Sequence, residues 1–158
     1  VLALAFVAVL RVSDRRSRLL SLLAALFLVL ALGANDGLRG LPADELQRNL
    51  ARMIERARAR GIRVVLAGME APPNFGRAYT TAFHNVYPDL AAKYRLKLIP
   101  FLLDGVAGNF SLNQRDGIHP NAQGARIVAD NVWAVLEPML ASMAGPAAAA
   151  PRSRAATR

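Results

Sequence analysis

The chain has 158 residues, a one-domain length that can bury roughly two thirds of its unfolded surface in one core. Its 54% hydrophobic content and mean hydropathy of +0.25 exclude a disordered chain, and the lack of cysteine excludes disulfides, thiolate metal sites and a cysteine nucleophile. The net charge of +9 is almost all Arg, with Lys only at Lys93 and Lys97; without aromatics interleaved, it predicts a solvated surface and no nucleic-acid partner. Residues 1–10 are apolar, 11–18 are Arg-rich, and a second apolar run spans Leu19 to Leu32. Each run is shorter than the ~20 residues a spanning helix needs, although the basic stretch and the run after it resemble a signal peptide or anchor. Residues 26–32 run straight into Gly33-Ala34-Asn35-Asp36-Gly37, so they are read as a buried parallel strand followed by a polar turn.

From Pro42 to Arg60 the pattern is helical. Leu46, Leu50, Met53, Ile54 and Ala57 share a face, and Gly61 is the stop. Ile62 to Ala67 is a second apolar strand, and Gly68 to Gly76, with Pro72-Pro73, is a loop. Arg77 to Val86 reads as a helix, and Pro88 is expected to open a new short one, because its ring fits a first turn and breaks an interior. Leu96 to Phe101 is a third strand. Asp104 to Asn121 is loop, and Asn121 to Met143 is an amphipathic helix with Val128, Val132, Leu136 and Met139 on one stripe. The Ala, Pro and Arg residues that follow predict a disordered tail. Alternating strands and helices predict an α/β fold with a parallel sheet, whose ligands sit beyond the carboxyl ends of the strands.

One loop at that edge stands out. Asp116-Gly117-Ile118-His119-Pro120 puts a carboxylate and an imidazole three residues apart around a turn-prone Gly. Folded back, Asp116 would hold one ring nitrogen of His119 and leave the other facing a cleft, which is the base-and-orienter half of a nucleophilic triad. The competing reading is an Asp that caps the next helix beside an exposed His. His84 reads as a helix-surface or half-buried residue, and two His make a His-rich zinc site implausible.

Leu28 to Leu41, Phe101 to Val106 and Asp116 to Ala122 together resemble the SGNH, or GDSL-type, hydrolases. The likeness is to their bacterial arylesterase, acyl-CoA thioesterase and lysophospholipase branch, and covers Leu28 to about Leu140. It implies a three-layer, flavodoxin-like sheet, ester or thioester hydrolysis on a small acyl substrate, no cofactor and no metal. It matches Asn35 to the oxyanion-hole Asn, His119 to the general base and Asp116 to its partner. Taken alone, Asn35 would read as an Asx-turn residue. Relatives work in the periplasm or are secreted, while membrane contact through residues 1–32 stays open for this chain.

The family's nucleophile lies in a Gly-Asp-Ser-Leu block, and no such tetrapeptide occurs here. Ser13-Asp14 lies only 20 positions before Gly33, whereas a βαβ unit needs about 30 residues or more. Ser17, Ser21, Ser111 and Ser142 fit no better, so no nucleophile is identified. The expected organisation is an unmatched segment over residues 1–25, a partial hydrolase domain over 26–143 with its first strand and helix lost or replaced, and a tail over 144–158. Truncation, a shifted frame or a mis-assigned start would each produce this pattern. Hydrolysis is then expected to be weak or absent; a non-catalytic acyl-binding remnant and a membrane-associated protein anchored by residues 1–32 remain as alternatives.

Overall fold

A computed structural model describes residues 27–144. The expectations for residues 1–26 and for the tail lie outside the described residues. Three strands, β1 (Phe27–Leu30), β2 (Arg63–Ala67) and β3 (Lys97–Ile99), form a parallel sheet in the order β1-β2-β3. Phe27 pairs with Arg63 and Leu30 with Leu66; Val65 pairs with Lys97 and Ala67 with Ile99. This sequential order is that of the last three strands of a flavodoxin-like sheet.

Helices cover both faces. Side chains alternate along β2, so Val64 and Leu66 face one way and Val65 and Ala67 the other. On the first face, Val64 and Leu66 pack with Leu46, Leu50 and Ile54 of α2 (Ala43–Arg58) and with Phe83, Val86, Tyr87 and Leu90 of α3 (Arg77–Tyr94), counting as α1 the short helix Ala34–Arg39. On the second, Val65, Ala67 and Ile99 meet Val132, Val135, Leu136 and Met139 of α4 (Ala122–Ala144). This is the expected three-layer α/β architecture, and the 26–32 run contributes β1 to it.

Three sequence expectations change. The segment after β1 is not a simple turn: Ala34–Arg39 forms α1. Pro88 opens no new helix and lies inside α3. A proline there costs about 3 kcal/mol and leaves the His84 carbonyl without its intrahelical partner. The helix continues because Phe83, Val86, Tyr87, Leu90 and Ala91 form a buried stripe running through the proline turn. Pro138 likewise sits inside α4. The third strand is shorter than Leu96 to Phe101, since Pro100 has no N–H to donate; Gly68 N–H donates to the Ile99 carbonyl (2.8 Å) and Leu102 N–H to the Gly68 carbonyl (2.9 Å).

Candidate active site

The three strands are parallel, so the connections after β1, β2 and β3 all leave one edge of the sheet. The loop after β3 is long, running from Pro100 to Asn121, and is held by its own polar groups. Asn113 is 7% exposed, and its amide donates to the carbonyls of Val106 (2.8 Å) and Asn109 (2.8 Å). Asn113 and Pro120 form an antiparallel bridge. Asn121 caps α4, its Oδ1 accepting from Gln123 N–H (2.9 Å) and Gly124 N–H (3.1 Å), and its amide reaches back to the Ser111 carbonyl (2.8 Å). Cap and loop are thus one hydrogen-bonded unit. Replacing Asn113 with Ala removes two hydrogen bonds, although the Val106 and Asn109 carbonyls keep the N–H groups of Asn109 and Leu112. At the usual net value of each bond, the loss should cost about 1–3 kcal/mol in urea unfolding. An unchanged midpoint would mean that the loop holds its shape without Asn113.

Within this frame, Gly117 takes φ +70 and its N–H bonds the Gln114 carbonyl (2.9 Å), folding the chain between Asp116 and His119. Asp116 Oδ1 accepts from the N–H groups of Ile118 and His119, both at 3.0 Å. Its Oδ2 lies 2.7 Å from His119 Nδ1. Asn121, not Asp116, caps α4, and Asp116 is committed to the turn and the imidazole. The Ile118 N–H, then the His119 ring and the His119 N–H, push the Asp116 carboxyl down to about 2. Since a lowered folded-state value favours the folded turn, the contribution is complete above the ordinary 3.8 and is lost as pH falls through about 2. The Ile118 and His119 amide NMR signals should therefore titrate together near pH 2; a midpoint at 3.8 would show that these bonds do not form in solution.

The other named residues fall as follows. Asn35 is the second residue of α1, exposed, just past the carboxyl end of β1. β1 and β3 flank β2, so the loops bearing Asn35 and His119 start about 10 Å apart on the same edge. His84 is exposed on α3, with Nδ1 2.6 Å from Glu70 Oε1 in the loop after β2. Ser111 Oγ bonds Asn109 Oδ1 (2.7 Å) and Ser142 Oγ bonds the Met139 carbonyl (2.8 Å). Among the described residues, no serine hydroxyl bonds His119. Asn113 was missed in the sequence because nothing local separates it from the other loop asparagines.

A family model described as the GDSL-like Lipase/Acylhydrolase family matches residues 7–127. The chain belongs to this family. The match starts upstream of β1, so it takes in part of the N-terminal segment as well as the sheet. Among family members, the chain is 46% identical over 112 residues to the esterase TesA of Pseudomonas aeruginosa, covering 71% of this chain and 56% of that protein. It is 32% identical over 114 residues to thioesterase 1/protease 1/lysophospholipase L1 of Escherichia coli, covering 72% and 55% respectively. A crystal structure of TesA superposes with a TM-score of 0.68 at 44% identity, over 78% of this chain and 70% of that one. The chain spans about half the length of the curated relatives it matches. These GDSL-family relatives are esterase-, thioesterase- and lysophospholipase-type hydrolases.

Proposed function

We propose that this chain carries the base, the orienting carboxylate and one oxyanion donor of a serine-type ester or thioester hydrolase. The observation that carries this reading is the 2.7 Å bond between Asp116 and His119 Nδ1, made at the carboxyl edge of the sheet in a GDSL-family chain. Asp116 fixes the tautomer, so Nε2 is the nitrogen that takes a proton. In the reaction, a serine hydroxyl attacks the acyl carbon and passes its proton to His119 Nε2. The Asn35 amide donates to the tetrahedral oxyanion. Collapse expels the alkoxide or thiolate, which leaves with the proton from His119. Water then repeats the sequence, releasing the acid and restoring the serine.

The Phe110 side chain, 83% exposed, and Ile118, 46% exposed, flank the turn that holds His119, and the Phe110 ring lies over Gly117. They are the apolar surface that a small acyl group would touch. Neither Ser111 nor Ser142 is placed as nucleophile, so the described residues do not complete the triad. Of the alternatives, anchoring by residues 1–32 falls largely outside the described residues, among which no helix is long and apolar enough to cross a membrane. A periplasmic or secreted setting is part of this proposal, taken from the family.

The test is a fluorophosphonate probe on the purified chain. No stoichiometric serine adduct should form, and short aryl esters should be hydrolysed weakly or not at all. An adduct mapped by mass spectrometry to Ser13 would place a working nucleophile in the N-terminal segment. Tight binding of an acyl ester without turnover would support a binding role instead.

A further inference from the structure

The helix bearing Asn35 is poorly supported by its own sequence. α1 has six residues, well below the ~12–15 at which an isolated helix becomes even marginal. Its N-terminus has no side-chain cap, and both flanking positions are glycines in left-handed conformation, Gly33 at φ 108 and Gly40 at φ 63.

Its support comes from α3 and the turn before it. Phe75, Tyr79, Phe83 and Tyr87 recur every four residues and form a ladder of rings, with successive centroids 5.4, 6.0 and 5.8 Å apart. α1 lies directly on this ladder. A β-carbon at Gly37 would sit 2.8 Å from the Phe83 ring, one at Gly40 2.6 Å from the Phe75 ring, and one at Gly33 against the Tyr87 hydroxyl. The three glycines form one face of the helical segment, and Asn35 is exposed away from it. The two tyrosine hydroxyls hold the backbone just outside each end of α1. Tyr87 donates to the Leu32 carbonyl (3.1 Å), and Tyr79 to the Leu41 carbonyl (2.8 Å).

We propose that Tyr79 and Tyr87 are positioning residues for Asn35, fixing the short helix from both ends so that its amide stays aimed at the carboxyl edge of the sheet. The proposal rests on the reading of Asn35 as oxyanion donor. Such a donor lowers a barrier only if it is already in place when charge develops. Tyr87 can hold its end at every working pH, because burial first, and then the nearby Asp36 and Glu70, push its phenol upward and keep it protonated.

The test uses the ¹⁵N-labelled full chain with Tyr79→Phe and Tyr87→Phe, each of which keeps the ring. Tyr94→Phe is the control, on the same helix but bonded to Glu55 and away from α1. Each of the first two should speed exchange of the Gly37, Gly40 and Leu41 amides about fivefold, the effect of losing one net hydrogen bond. Each should also move the Asn35 side-chain amide signals, while Leu50 and Ile54 amides and the Tyr94→Phe spectrum of α1 stay as in the parent. If the Asn35 signals do not move in either variant, or exchange rises equally in α1 and α2, the proposal is overturned. A failure of the oxyanion reading itself would be distinct. It would show as activity indifferent to Asn35→Ala in a chain supplied with a nucleophile, with the Asn35 signals still responding to the tyrosines.

Discussion

Joined ahead of Leu28 to a family-type first strand, Gly-Asp-Ser-Leu turn, helix and second strand, these residues are expected to hydrolyse short aryl esters. His119→Ala in that chain should lower kcat/KM by about ten-thousandfold or more, since the serine loses both its base and the later acid. Asn35→Ala should cost about a hundredfold or more through loss of one oxyanion donor. Asp116, held down to about 2 by its hydrogen bonds, stays ionised at any pH well above that value and so keeps its hold on the imidazole across the assay range. The measurement is kcat/KM for the parent graft and both variants. A well-folded graft that hydrolyses nothing, or one indifferent to His119, would falsify the proposed function.

The largest stability effect is expected from Phe83→Ala. Phe83 is fully buried, stands between Tyr79 and Tyr87 in the ladder, and lies against Gly37. Removing its ring leaves a cavity bounded by α1 and α3, and should cost about 3–5 kcal/mol, a large part of the ~5–15 kcal/mol typical of a domain. Gly37→Ala should also destabilise, because its new methyl group meets the Phe83 ring. The two effects should be coupled. In the Phe83→Ala background, Gly37→Ala should cost less, because its methyl enters vacated space. Urea unfolding of the four proteins in the cycle measures this; strict additivity would mean that ring and glycine do not touch in solution.

The His119 turn could be read from residues 116 to 119 because every partner is local. Asp116 reaches Ile118 and His119 within three positions, and Gly117 supplies the positive φ that brings them together. The frame around that turn could not, since Asn113 bonds Val106 and Asn109, and only the folded loop buries its amide.

The sequence by itself determined the β strands, α2, α4 and the Asp116–His119 pair. Each is encoded by short-range periodicity or spacing: apolar runs for strands buried on both faces, Leu46, Leu50 and Ile54 at helical intervals, and a carboxylate three residues before an imidazole. Only the tertiary structure decided the rest. The Asn35 segment is helical because rings more than thirty positions later cover its glycines and take up its flanking carbonyls. α3 runs through Pro88 because the buried stripe on either side outweighs the local cost of the proline. In both places local propensity pointed to a break. Contacts between segments distant in sequence supplied the stabilisation that no window of neighbouring residues contains.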